Sequence, residues 1–222
     1  MFIFYQLPDN INNTIRCVTG MIEDWQKLDS VNIQRILGEV NPHLEPVPFR
    51  ADTTVIRTQR LPFYRGSILL ELTDLSAVPA VKKYAIYKSG DVSVIDWTNQ
   101  VIYEANEKEP VVLNEETVID YARFFFEYVR GRYGRFLIIE AIDDIRWQIE
   151  PPLQGRRVMQ EMLEPVTLIG QDADGTFNLE AFMVFKDSLF KTKIHVKKDG
   201  LVSMSGEELK IEGMPVLQDT AA

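Results

Sequence analysis

The chain has 222 residues and a formal net charge of −9, with 45% hydrophobic and 26% charged residues. This balance is typical of globular proteins and excludes disorder over most of the length. The acidic charge excludes the basic surfaces on which broad nucleic-acid binding and attachment to anionic membranes depend.

Cysteine content and the start of the chain bear on location. Cys17 is the only cysteine, which excludes an intramolecular disulfide and a thiolate-rich metal site. Residues 1–7 are apolar, but this segment is too short for the hydrophobic part of a secretion signal and lacks the basic segment with which such a signal starts. No apolar run approaches the ~20 residues of a membrane span. We therefore expect a cytoplasmic protein.

The first 50 residues predict a short strand over residues 2–7 and two short helices after it. Thr19 and Ser30 are the residue types that cap helices, and each precedes an apolar pattern of helical spacing. The apolar faces consist of Met21, Ile22, Trp25 and Leu28 in the first helix and of Ile33, Ile36, Leu37 and Val40 in the second. Prolines then make residues 43–49 an extended connector.

From residue 53 the pattern changes to short segments rich in β-branched and aromatic residues, which is typical of strands. The predicted strands are residues 53–60, 66–72, 81–88, 91–97 and 100–105. Ser89-Gly90 and Thr98-Asn99 suit tight turns between the last three strands. Residues 53–105 therefore predict an antiparallel meander.

The strongest helical pattern extends from about residue 114 to residue 130, with Asn114 as its cap. Its core face consists of Val118, Ala122, Phe125 and Val129. Gly131 or Gly134 ends this helix, and the apolar residues 136–139 after it predict a buried strand. We expect the helix to be the longest of the protein and to pack on the first sheet.

Pro151-Pro152 marks the predicted boundary between an N-terminal α+β part, residues 1–150, and a C-terminal mostly β part, residues 151–222. The second part is either a separate subdomain or a continuation of the first sheet. It predicts a short helix over residues 156–163 and a second meander, and we expect disorder from residue 218. The strands of this meander are residues 166–170, 176–185, 189–197, 201–205 and 209–211. The predicted class is therefore α+β, with two antiparallel meanders and a few helices.

Catalytic patterns are missing from the sequence. It contains no phosphate-binding glycine loop, no zinc spacing and no serine-hydrolase motif. His43 and His195 are the only histidines, so a serine or cysteine nucleophile would have to use one of them. His195 shares one face of a predicted strand with three lysines, and we interpret that face as solvated rather than as a cationic docking strip. We assign no catalytic residue, no metal and no cofactor.

The best candidate site is the junction of the long helix and the strand after it. Arg130, Arg132 and Arg135 offer planar donor forks that suit carboxylate or phosphate, and Tyr133 can stack or donate a hydrogen bond. Asp143 or Asp144, after the strand, is a candidate base, and Asp144 is the one that we assign to the site. A structural alternative exists for each charge. Arginines at a helix C-terminus oppose the macrodipole, and acids at a strand end often cap a turn or pair with arginine.

Two functions remain. The first is a non-enzymatic interaction or adaptor protein that binds a protein partner through its sheet edges or the Arg130–Arg135 junction and self-associates as a dimer. The second is a pocket-type binding protein or enzyme for a small carboxylate or phosphate, with no role for nucleic acid or membrane in either. Convergence of Arg132, Arg135 and Asp144 in one apolar pocket would favour the second function.

Overall fold

Two antiparallel β-sheets and four α-helices form the computed structural model, which describes residues 25–45 and 48–217. The strands of the first sheet, in spatial order, are β1 (Gln26–Lys27), β2 (Thr54–Arg60), β3 (Ile68–Asp74), β4 (Val81–Lys88) and β5 (Asp91–Val94). The second sheet contains β6 (Phe136–Ile138), β7 (Thr167–Gln171), β8 (Phe177–Phe185), β9 (Ser188–Val196) and β10 (Val202–Ile211). The predicted α+β class with antiparallel meanders is confirmed.

The second sheet has the order β10-β9-β8-β6, and β7 pairs with the first half of β8. The predicted segments 201–205 and 209–211 belong to the single strand β10, whose pairing with β9 is irregular in two places. The four helices are α1 (Ser30–Val40), α2 (Asn99–Lys108), α3 (Thr117–Tyr128) and α4 (Leu153–Met162).

Helix α1 buries the predicted face, and that face covers one side of the first sheet. The cap is Asp29 rather than Ser30, because Oδ1 of Asp29 accepts a hydrogen bond from the backbone N–H of Asn32 at 2.8 Å. The predicted helix before it is wrong in its described part. Residues 26 and 27 form β1, which pairs with β2. The rest of that helix, the predicted strand over residues 2–7 and the tail from residue 218 lie outside the described residues.

The predicted strand at residues 100–105 is also wrong, because these residues belong to α2. Val101 and Tyr103 favour a strand locally. However, Ile102, Ala105 and Asn106 are the residues that α2 buries, and a spacing of three and four residues places them on one helical face. Packing against the core therefore overrides the local preference, and Thr98-Asn99 leads into a helix instead of turning a hairpin.

Helix α3 packs on the first sheet, as predicted, and on the second sheet as well. Tyr121 meets Phe63, beside the first sheet, at 5.1 Å between ring centroids, and Tyr128 meets Tyr84 of β4 at 5.0 Å. The same core cluster includes Leu179 of β8 and other buried residues of the second sheet. The helix is apolar on several sides because it lies between two sheets.

A buried polar network connects the two sheets. Tyr64 donates a hydrogen bond to Oδ1 of Asn106, whose Nδ2 donates to the Tyr121 hydroxyl at 2.8 Å. That hydroxyl donates to the carbonyl oxygen of Gly200, in the β9–β10 turn, at 2.7 Å. Gly200 has a φ of +84°, and a Cβ there would lie 2.4 Å from Nδ2 of Asn106. Burial raises the pKa of both tyrosines, so they remain hydrogen-bond donors at neutral pH.

The second sheet contains strands from both sides of the predicted boundary at Pro151. Strand β6 precedes Pro151 but pairs with β8, and the two sheets are separate rather than continuous. The division of the chain into subdomains at residues 1–150 and 151–222 stays a prediction.

Among the described residues, no helix has the length and the apolar character that a membrane crossing requires.

Candidate functional site

The residues after α3 form a tight hairpin with Arg132 and Tyr133 at its tip. The backbone N–H of Gly131 donates to the oxygen of Gly134 at 2.8 Å, and the N–H of Gly134 donates back at 3.2 Å. Tyr133 is 71% exposed, and the guanidinium carbon of Arg132 lies 5.5 Å from the centroid of its ring. The hairpin therefore holds an arginine and a tyrosine side by side in solvent.

A second turn contributes a cation and an aromatic surface near this tip. Phe136 of β6 stacks on Phe185 at 4.3 Å between centroids, and both rings are partly exposed. The exposed Lys186, in the β8–β9 turn, places its Nζ 5.4 Å from the Phe185 centroid. We call this group of side chains the hairpin patch; it consists of Arg132, Tyr133, Phe136, Phe185 and Lys186. The patch combines two cations with three aromatic rings.

Gly134 allows the tip to approach these rings. Its φ is +136°, and a Cβ at this position would lie 3.2 Å from Cε2 of Phe185. Glycine is the residue that accepts this backbone conformation and this close contact together.

Arg130 contacts a different surface, beside Trp97. Its N–H donates to the Trp97 carbonyl oxygen at 2.7 Å, and its guanidinium carbon lies 4.4 Å from the centroid of the indole ring. Trp97 has a φ of +69°, which is unusual for a bulky residue. Tyr128 stacks on the same ring at 6.3 Å between centroids. Arg130 therefore packs against an aromatic cluster that includes Trp97 and Tyr128.

Next to this cluster, Glu71 of β3 is a buried carboxylate with several partners. Nε of Arg57 donates to it at 2.7 Å, Nζ of Lys82 lies 3.0 Å away, and the Tyr84 hydroxyl donates at 3.2 Å. Burial opposes the ionisation of Glu71, but the bonds to Arg57 and Lys82 prevail and hold its pKa below the ordinary value. Burial and the charge of Glu71 raise the pKa of Tyr84 to about 12. This group stabilises the sheet rather than transferring protons at neutral pH.

Arg135 and Asp144 make contacts that match the structural alternatives. The Arg135 side chain is 8% exposed; its Nη2 lies 2.6 Å from Oε2 of Glu127 and its Nε donates to the Phe126 carbonyl oxygen at 3.2 Å. Asp144 accepts hydrogen bonds from the N–H groups of Glu140 and Ala141, each at 2.8 Å, and so caps a short 3-10 helix. Ligand binding by these two residues stays a prediction.

The five predicted site residues are thus distributed over four places. Arg132 and Tyr133 lie together at the hairpin tip, and Arg130 lies over Trp97. Arg135 pairs with Glu127, and Asp144 lies in a separate turn. Sequence reasoning missed Lys186 and Phe185. Their place beside the tip depends on the pairing of β6 with β8, which no local pattern indicates.

A groove elsewhere on the surface offers a second group of cations. It encloses about 360 Å³ and is lined by Arg65, Val111, Val112, Leu113, Gln171, Phe177 and Lys198. Neither Arg65 nor Lys198 has an ion-pair partner among the residues that the structure describes. Gly175 leaves room for the Lys198 stem, since a Cβ there would lie 1.9 Å from Cε of Lys198. Tyr64 and Arg65 are neighbours in the sequence, whereas the proximity of Lys198 to Arg65 is visible only in the structure.

The contacts of the lysines that share a strand face with His195 are consistent with the interpretation of this face as solvated. Nζ of Lys191 lies 2.7 Å from Oε1 of Glu180 and 3.5 Å from Oε2 of Glu164. Lys193 is exposed and lies opposite Glu180 in the strand register. Opposite charges therefore accompany these lysines along the sheet.

Within residues 25–45 and 48–217, no group of three or more histidine, cysteine or acidic side chains could hold a metal ion.

Comparisons with protein-family models, with curated proteins and with solved structures found no match for this chain.

Proposed function

We propose that the protein is a non-enzymatic interaction protein that binds an acidic segment of a partner protein through the hairpin patch. The exposed Arg132–Tyr133 tip, held by two hydrogen bonds between Gly131 and Gly134, is the observation that carries this proposal. Tyrosine and arginine are among the residues that contribute most to binding energy at protein interfaces.

Rigidity favours this role. A tip that is already closed by backbone hydrogen bonds loses little conformational freedom when a partner binds, so more of the contact energy appears as affinity. The stacked Phe136 and Phe185 rings add apolar area beside the tip. A partner side chain can therefore bury apolar surface while its neighbours meet the cations.

Charge selects the partner and its orientation. The patch carries Arg132 and Lys186, whereas the whole chain has a formal net charge of −9. An acidic segment is repelled by most of such a surface and attracted at a local cationic patch, which favours one docking orientation. The arginine fork can also hold a carboxylate through two parallel hydrogen bonds.

Self-association through sheet edges, the other part of the sequence-based hypothesis, receives less support. Among the described residues, β10 is the outermost strand of the second sheet. Its pairing with β9 shifts register at Ser205/Glu208 and again at Leu209/Ile211, and it carries Glu207, Glu208 and Lys210. Bulges and charges of this kind oppose pairing with another strand. Dimer formation stays a prediction, and light scattering after size-exclusion chromatography tests it.

The test of the main proposal is a phage-display selection with a library of random peptides. We expect enrichment of sequences that combine Asp or Glu with one large apolar residue. Arg132→Glu should weaken binding of an enriched peptide by about 30-fold, which corresponds to the ~2 kcal/mol of a hot-spot residue. Arg157→Glu, at an exposed position on α4, changes the net charge equally and should have little effect. Equal losses in both variants, or enrichment of basic peptides, would contradict the proposal.

A second candidate function is the binding of a small anionic ligand, and the groove at Arg65 and Lys198 favours it. Arg65 and Lys198 have no ion-pair partner in the described part of the chain and lie beside apolar side chains, which suits a carboxylate or phosphate with a short apolar body. A thermal-shift screen against small carboxylates and phosphates tests this function. A compound that stabilises the wild type and Arg132→Ala, but not Arg65→Ala or Lys198→Ala, would establish the groove as a ligand-binding site. If no compound does so, this second function is rejected.

A further inference from the structure

Three neighbouring strands of the second sheet bring a serine, a histidine and an asparagine into hydrogen-bond contact. Nε2 of His195, on β9, lies 2.6 Å from Oγ of Ser205 on β10, and Nδ1 lies 2.6 Å from Oδ1 of Asn178 on β8. Nδ2 of Asn178 donates in turn to Oδ1 of Asp172 at 2.8 Å. These four side chains form a continuous chain of hydrogen bonds on an open face of the sheet.

Asp172, at the end of this series of hydrogen bonds, determines which group donates and which accepts at each step. An ionised Asp172 can only accept, so the amide nitrogen of Asn178 must face it and the amide oxygen must face His195. Nδ1 of a neutral His195 therefore carries the proton, and Nε2 presents its lone pair to Ser205. The Ser205 hydroxyl must then donate to Nε2, which is the arrangement of a nucleophile, a base and a group that orients the base.

The backbone around Ser205 is irregular. The register with β9 passes from Ser205↔Lys193 to Glu208↔Lys191, so Gly206 and Glu207 both lie opposite one residue, Thr192. Gly206 has a φ of +66°, and the Thr192 hydroxyl donates to the Ser205 carbonyl oxygen at 3.1 Å. Bulges of this kind redirect backbone and side chains, and they are frequent beside active sites.

We propose that Ser205 is a base-activated nucleophile that accepts an acyl group from an activated ester. Oγ of Ser205 forms a bond to the ester carbonyl carbon while its proton passes to Nε2 of His195. The bond from that carbon to the leaving oxygen then breaks, and the leaving group departs with the electron pair and takes up the proton. Because Ser205 is exposed, water surrounds the reacting ester and the protein does little to activate it, so the donor must have a good leaving group. This modification site is independent of the hairpin patch.

The test uses the full chain and p-nitrophenyl acetate. The released p-nitrophenol ionises in solution to the coloured p-nitrophenolate, which is followed by absorbance, and peptide mass spectrometry identifies the acetylated residue. We expect a burst that places one acetyl group on Ser205. Ser203 is the internal control, since it lies on the same strand and face, directly opposite His195, and its hydroxyl forms no hydrogen bond with any described residue.

Variants separate the proposed base from simple exposure. His195→Gln should lower the rate of Ser205 acetylation by about 100-fold, the lower range of a general-base contribution. Ser205→Ala should remove the burst, and Ser203→Ala should leave it unchanged. Asn178→Ala, which frees the imidazole to turn, should also slow the reaction. Acetylation of lysines alone, equal labelling of Ser203 and Ser205, or an unchanged rate in His195→Gln would overturn the proposal. Circular dichroism melting curves establish that each variant is folded.

Discussion

Replacing Gly200 with alanine tests the network between the two sheets. Gly200 has a φ of +84°, and its carbonyl oxygen accepts the hydrogen bond of the Tyr121 hydroxyl. An added Cβ would lie 2.4 Å from Nδ2 of Asn106 and 2.6 Å from the Tyr121 hydroxyl oxygen. Both groups are buried, so neither can move into solvent when the methyl group displaces it.

The expected loss has two parts. A left-handed backbone costs a residue with a Cβ about 1–2 kcal/mol. Leaving a buried polar group without its partner costs about 1–3 kcal/mol, and the methyl group disturbs the hydrogen bonds of both Asn106 and Tyr121. We therefore expect Gly200→Ala to lower the free energy of unfolding by about 3 kcal/mol or more.

Gly90→Ala is the matched control, because Gly90 has a φ of +87° and no atom within 4 Å of an added Cβ. It should show the backbone cost alone, about 1–2 kcal/mol. Urea unfolding, followed by tryptophan fluorescence and by circular dichroism, measures both variants and checks that the transitions coincide. Equal losses for Gly200→Ala and Gly90→Ala would refute the claim that the network contributes to stability.

Two further predictions concern charged residues. Arg135→Ala should lower the free energy of unfolding by about 2–4 kcal/mol, since it removes the packing of a side chain that is 8% exposed and leaves the Phe126 carbonyl oxygen without its hydrogen bond. Arg132→Ala should change it by less than about 0.5 kcal/mol. Comparable urea midpoints for the two variants would contradict this difference. The lowered pKa of Glu71 contributes stability that is fully present above the ordinary carboxyl value of about 4.3 and is lost as the pH falls through the lower folded value. Wild type should therefore lose more stability on acidification than Glu71→Gln, as unfolding curves at several pH values can measure; parallel losses would exclude Glu71 as a source of acid sensitivity.

Local sequence patterns predicted correctly the helices and strands that bury a single face against the core. The apolar face of α1 and the extent of most strands were visible because spacing alone defines them. The strand predicted at residues 100–105 was wrong because β-branched residues dominate the local signal, whereas the core selects Ile102, Ala105 and Asn106 at helical spacing. Asp29 rather than Ser30 caps α1 because either residue type can cap, and only the backbone conformation decides between them.

The candidate sites were predictable only in part, because they depend on contacts between distant residues. Arg132 and Tyr133 adjoin in sequence, so their proximity at the tip could be expected. The positions of Lys186, of Lys198 near Arg65, and of Ser205 near His195 depend on strand register and sheet order, which a single sequence does not specify. Arg135 illustrates the reverse case: its residue type suits a ligand, but the end of α3 supplies a carbonyl group and Glu127 instead.

Amide chemical-shift mapping with an acidic peptide from the selection would locate the binding surface residue by residue. We expect the shifts to concentrate at residues 131–136 and 185–187, around the hairpin patch, and we expect Arg132→Glu to remove them while Arg157→Glu does not. Shifts centred on Arg65 and Lys198 would assign binding to the groove instead. A peptide that binds without perturbing the hairpin would contradict the proposed interaction surface.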